Sequence, residues 1–123
     1  MKGIEYDLSQ TGYKAVLKDW QLKAMQAVWN SLEGVNSRAV WEKTNQMLDE
    51  ESISRASVIN FLEAMREMGV LEAEDRTGKG GHQYVYRMGM DESQFKLYIA
   101  QTLIKNLLRD FPEETKVALG KVS

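Results

Sequence analysis

The 123-residue sequence predicts a mainly α protein carrying one small β-hairpin, an α+β fold. Three observations lead there. Apolar residues recur at spacings of three and four over much of the chain, the period of one helix face. Between positions 70 and 88 that period gives way to short runs of strand formers around a glycine-rich centre. From position 91 the helical period returns, and its apolar residues cover more girth than a one-sided surface helix needs.

Residues 1–16 are weakly patterned. Ile4, Tyr6 and Leu8 alternate as a short strand would, and a loose N-terminal arm is the plainer expectation. Residues 17–32 read as a helix, with Trp20, Met25, Val28, Trp29 and Leu32 on one face and Gly34 ending it. Leu17 and Leu22 suit a hydrophobic staple across its entry, although Lys18 is a poor cap. Val35 stands as a lone apolar residue. Asn36 then caps a second helix over 36–48, with Val40, Thr44, Met47 and Leu48 on one side and Trp41 on an adjacent strip.

The clearest helix spans 54–68. Ser54 is a strong cap, Ile53 and Val58 occupy staple positions, and Val58, Phe61, Leu62 and Met65 form the buried stripe. Gly69 stops it where a left-handed residue is wanted. Extended segments follow at 70–75 and 83–88, flanking the tip Thr77-Gly78-Lys79-Gly80-Gly81. Asp91, with Gln94 three residues on, opens a long helix to about Phe111. Pro112, Glu113 and Glu114 start a short terminal helix that Gly120 closes.

Composition narrows the chemistry. With no cysteine and one histidine, disulfides, thiolate metal centres and multi-histidine sites within one chain are excluded, so neither metal nor cofactor is expected. No catalytic cluster is visible, and no enzyme is expected. His82 lies on a hairpin tip with no nucleophile or carboxylate pair around it. Gly78-Lys79-Gly80-Gly81 lacks the glycine spacing, the following Ser or Thr and the following helix of a nucleotide-binding loop. No apolar run approaches the roughly 18 residues that span a bilayer, and no leader pattern opens the chain, so a cytoplasmic protein is expected.

The net charge of −2 works against a nucleic-acid binder, but the charges are segregated. No acid lies between Asp75 and Asp91, where Arg76, Lys79, His82 and Arg87 all fall, while Asp49, Glu50 and Glu51 form a separate run.

Helix, helix, short turn, helix and trailing hairpin is the order of a winged helix-turn-helix, whose third helix would enter a DNA major groove. The stretch LKDWQLKAMQAVW resembles the first helix of the penicillinase-repressor proteins (the BlaI, MecI and CopY type). So does ISRASVINFLEAMREMGVLEAEDRTGKGGHQYVYR, and SRASV with MGVLE is also similar to MarR-type regulators. The likeness covers roughly residues 17–119 and implies a dimeric repressor that binds a near-palindromic operator. With the weakly patterned start, the expected organisation is an N-terminal arm at 1–16, a winged helix-turn-helix DNA-binding domain at 17–90 and C-terminal dimerisation helices at 91–123, the last being where the resembled family has its own. Two departures stand out. The recognition helix carries only Arg55 and Arg66 as cations, beside Glu63 and Glu67, and the C-terminal cysteines of the copper-responsive branch are missing.

Within that layout, Arg55, Ala56, Ser57, Ile59 and Asn60 stay outside the core stripe. Asn60 suits adenine, Arg55 suits guanine, and Ala56 and Ile59 suit a thymine methyl. Glu63 either repels phosphate or accepts from cytosine. Ser54 and Ser57 lie at a helix N-terminus suited to phosphate. Arg76, Lys79 and His82 on the wing, and Ser37 and Arg38 at the start of the second helix, are further phosphate candidates. The final long helix, about 30 Å at 1.5 Å per residue, needs burial on two sides. Phe95, Tyr98, Ile99, Leu103, Leu107, Leu108 and Phe111 are the expected homodimer contacts. A small-molecule effector is conceivable between the dimer helices, lined by Trp20, Trp29, Trp41 and methionines, although such residues more often form core. The competing function is a winged-helix module for protein association, supported by the acidic total and the few cations on the third helix.

Overall fold

The computed structural model describes residues 5–78 and 81–122, with backbone alone at 78, 81 and 82. Among the described residues, five α-helices and a three-stranded antiparallel sheet give the α+β class in winged helix-turn-helix order. The chain divides into two compact units, residues 1–90 and 91–123.

In the first unit a 3-10 turn, Gly12–Ala15, precedes helix α1, Asp19–Trp29. Tyr6 and Leu8 form no strand; Leu8 lies in an exposed turn, and Ile4 falls outside the described residues. The segment that follows is packed: Ala15, Val16 and Leu17 are buried, and the Asp7 N–H donates to the Ala15 carbonyl at 2.7 Å. Lys18 does head α1. Its backbone N–H is satisfied by Gln21 Oε1 at 2.9 Å, the returning bond of a capping box. The helix stops three residues before the expected end, because Ser31 Oγ donates to the Gly34 carbonyl at 2.8 Å and closes a turn. Leu32 therefore leaves the apolar face and is 98% exposed.

Val35 is not a lone residue. Strand β1, Val35–Asn36, pairs antiparallel with the hairpin's second strand, placing Val35 opposite Tyr86 and Asn36 opposite Val85. Asn36 also caps helix α2, Ser37–Met47, its Oδ1 accepting from the Ala39 N–H at 2.8 Å. Val40 and Thr44 of α2 are buried as expected, but Met47 is exposed. Trp41 Nε1 donates to the Ile53 carbonyl at 2.8 Å, and Asn45 Oδ1 accepts from the Ile53 N–H at 2.8 Å. These bonds fix the turn into helix α3, Arg55–Glu67.

Ser54 caps α3, with its Oγ accepting from the Ser57 N–H at 3.1 Å. At the far end Gly69 takes φ +79°, the Val70 N–H reaches the Met65 carbonyl at 2.9 Å and the Gly69 N–H the Arg66 carbonyl at 3.0 Å. That pair of bonds is a Schellman stop. Strands β2, Leu71–Gly78, and β3, Gly81–Met88, pair from Leu71 opposite Met88 to Gly78 opposite Gly81. The wing is thus longer than the apolar pattern alone indicated, because backbone pairing continues into glycine-rich residues that have no side-chain period. Val28, Val40, Val58, Leu62 and Tyr86 are all buried, so three helices and β3 share one core.

The second unit holds α4, Glu92–Asp110, and α5, Pro112–Val122. Asp91 and Gln94 form the reciprocal cap, with bonds of 2.7 and 2.9 Å. Thr115 Oγ1 donates to the Leu107 carbonyl at 3.0 Å across the α4–α5 corner. Gly120 does not end α5, which runs through it to Val122. Among the described residues, no helix is long and apolar enough to cross a membrane.

Candidate nucleic-acid interface

Helix geometry decides which part of α3 is free. At 3.6 residues per turn, Arg55, Ala56, Ile59 and Asn60 share one arc of about 140°. The opposite arc, Val58, Phe61, Leu62 and Met65, is buried. Arg55, Ala56 and Asn60 are exposed, and Ile59 and Ser57 are half-buried. Among the described residues no carboxylate pairs with Arg55. Ser54 and Ser57 are joined to each other, Oγ to Oγ, at 2.9 Å, so their hydroxyls are shared between capping and any outside contact.

Glu63 and Arg66 lie on the same outer arc, two turns on. The Tyr86 hydroxyl donates to Glu63 Oε2 at 3.1 Å, and Arg66 Nη1 donates to Glu63 Oε1 at 3.3 Å. The Arg66 guanidinium sits 4.6 Å from the centre of the Tyr84 ring. Burial, together with the Glu63 carboxylate, pushes the Tyr86 hydroxyl well above the ordinary phenol range, so it stays a donor. Glu63 thus has partners within its own chain. The open part of α3 is its first two turns.

The wing is less cationic than its sequence. Glu74 of β2 accepts from Arg76 at 3.2 Å and pairs with Arg87 across the hairpin. Arg76, then Arg87, hold the Glu74 carboxyl below the usual glutamate range. Arg38, exposed at the start of α2 beside half-buried Ser37, pairs with Glu42 at 3.0 Å. Lys79 lies outside the described residues; His82 faces Thr77 in the register and its side chain lies outside them too.

In the second unit, Phe95 is 1% exposed and has no surface left for another chain. Tyr98, Ile99, Leu103 and Leu108 are half-buried, while Leu107 and Phe111 are 48% and 59% exposed. Val117 and Val122 of α5 extend the exposed apolar surface.

The three tryptophans are taken up locally. Trp20 meets Phe61 edge-on at 5.5 Å, Trp29 lies 5.4 Å from Tyr13, and Trp41 bonds Ile53. An open cavity of about 910 Å³ lies beside the 3-10 turn, lined by Tyr6, Asp7, Lys14 and Asp19 among others. Among the described residues no group of three or more His, Cys, Asp or Glu side chains could hold a metal ion.

No family model matches the sequence, and no curated protein matches it. Among solved structures the chain is similar to a Thermoplasma acidophilum protein provisionally described as a transcriptional regulator. The identity is 18% and the TM-score 0.45, over 73% of this chain and 89% of that one.

Three features escape a reading of the sequence alone: the two partners of Glu63, the neutralising role of Glu74, and the apolar residues of α5. The Tyr84 and Tyr86 pair carried a usable signal. Residues two apart on a strand face the same side, so two tyrosines there mark a face with work for both hydroxyls and rings.

Proposed function

We propose that this chain is a homodimeric, sequence-specific DNA-binding transcription regulator, a repressor of the penicillinase-repressor kind that binds a near-palindromic operator in the cytoplasm. The carrying observation is the open start of α3. Arg55, Ala56, Ile59 and Asn60 share one solvent-facing arc at the positive end of a helix dipole, and Arg55 is not tied down by a carboxylate of the described residues. In this reading Arg55 reads guanine, Asn60 reads adenine, and Ala56 and Ile59 touch thymine methyls. Ser54, Ser57, Ser37 and Arg38 position phosphates, and Arg76, Lys79 and His82 on the wing reach the flanking backbone. Residues 17–90 bind DNA and 91–123 pair two copies. Leu107 and Phe111 lead the dimer contact, with Tyr98, Ile99, Leu103 and Leu108 behind them and Phe95 left inside. A two-fold pair would present two α3 helices to the two halves of a palindrome.

The deciding experiment is selection of bound duplexes from a random library, followed by affinities for the enriched site. Asn60→Ala is expected to relax preference at one base pair by about 1–3 kcal/mol. Lys79→Ala is expected to weaken all sequences about equally. A library that yields no enriched sequence, with no gel shift at low salt, overturns the proposal.

A second reading, a module for protein association, is favoured by one observation: Arg38, Arg76 and Arg87 are already paired with Glu42 and Glu74. It expects no mobility shift with genomic fragments even at low salt.

A further inference from the structure

The outer arc of α3 has two halves with different neighbours. The first presents Arg55, Ala56 and Asn60 to solvent, with half-buried Ile59 between them; the second presents Glu63 and Arg66 to the wing. Tyr84 and Tyr86 project from the same face of β3, with ring centroids 6.3 Å apart, and each takes one of the two helix residues. Glu63 is held by two donors, one from the strand and one from its own helix. Arg66 divides its guanidinium between that carboxylate and the Tyr84 ring.

We infer that Glu63, Arg66, Tyr84 and Tyr86 lock the wing at one angle to α3, acting as positioning residues rather than as groove contacts. A two-stranded hairpin is marginal by itself. This one joins α3 through a turn at Gly69, and its base is paired to β1 at Val35 and Asn36 and packed into the core by Leu71, Val85 and Tyr86. Away from that base, Asn36 Nδ2 reaches Gln83 Oε1 at 3.2 Å, but this bond is exposed. The part-buried, charge-assisted Tyr86–Glu63 bond is the stronger of these two polar ties, and it runs directly to α3. Its direction is fixed, since the tyrosine stays protonated and the carboxylate can only accept. The consequence for recognition rests on the DNA-binding proposal: with the angle locked, wing and groove contacts bind the duplex as one unit.

The absence of cysteine makes the test clean, because two introduced cysteines carry the only labels. Spin labels at Thr77→Cys in β2 and Gln46→Cys in α2, both exposed sites, report the wing angle as a distance distribution. With labelled chains diluted in excess unlabelled chain, so that a dimer carries one labelled pair, the parent is expected to give one narrow distribution. Tyr86→Phe and Glu63→Ala are expected to broaden or shift it, and Glu63→Gln, which still accepts, to fall between. A melting curve for each variant shows that it is folded. Unchanged distances in both Tyr86→Phe and Glu63→Ala overturn the lock. A second arm uses a mixed-sequence duplex at low salt. The affinity lost on Arg76→Ala, severalfold in the parent, should shrink below about twofold in the Tyr86→Phe background, since coupled sites are non-additive. Equal losses in the two backgrounds overturn the claim that wing and helix bind together. If the parent binds no duplex, the regulator proposal fails, and the label distances still decide the lock.

Discussion

Gly34 turns the chain from α1 into β1 with φ +94°, and a β-carbon there would stand 2.5 Å from Val85 Cγ1 and 3.3 Å from the Tyr86 carbonyl oxygen. Gly12 also has a positive φ, +60°, but nothing lies within 4 Å of the corresponding position. The two sites separate backbone strain from collision. Gly34→Ala is expected to cost more than about 1 kcal/mol and to lower Tm by several degrees, and Gly12→Ala to cost less. Thermal unfolding of the two variants checks the order, and equal losses would remove the collision argument. The caps at Asn36, Ser54 and Asp91 were legible at this scale because a cap is a bond between residues two or three apart.

At the scale of the element, the wing shows why a linear charge pattern misleads. The acid-free run from Arg76 to Met90 reads as a cationic flap, yet antiparallel pairing returns β3 alongside the acids of β2. Glu74 meets Arg76 on its own strand and Arg87 on the next. Its carboxyl is depressed, so the charged form is favoured in the fold. Whatever stability the pair contributes is present at neutral pH and is lost as pH falls through the folded-state midpoint, with strong salt screening because the group is exposed. A side-chain NMR titration should place Glu74 below the ordinary glutamate range, and Arg76→Ala should raise it. A midpoint unmoved by that substitution would assign the shift to Arg87 instead. Helix α3 divides in a similar way. Its buried stripe followed from a period of 3.6, but which half of the outer arc is open depended on where β3 lies.

For the whole molecule, the proposal joins two surfaces that do not overlap in sequence, the start of α3 and the exposed apolar side of α4 and α5. Leu107→Lys combined with Phe111→Asp is expected to turn a dimer into a monomer in sedimentation equilibrium. A dimer mass that survives both changes would move the interface elsewhere. In the parent, duplex affinity should fall with salt at a slope of about −0.9 per phosphate contacted. With a formal net charge of −2 and three arginines already paired, a shallow slope is expected, and the proposal then assigns much of the discrimination to base contacts from Arg55 and Asn60.

Local chemistry by itself determined the helices, their caps, the glycine stop at Gly69 and the α+β class, because each depends on residues a few positions apart. Tertiary structure alone decided that Val35 is a strand and that Glu63 belongs to the wing. Those outcomes turn on partners far along the chain, such as Val35 with Tyr86 and Glu63 with Tyr86, and no short-range period encodes which distant residue a side chain will meet.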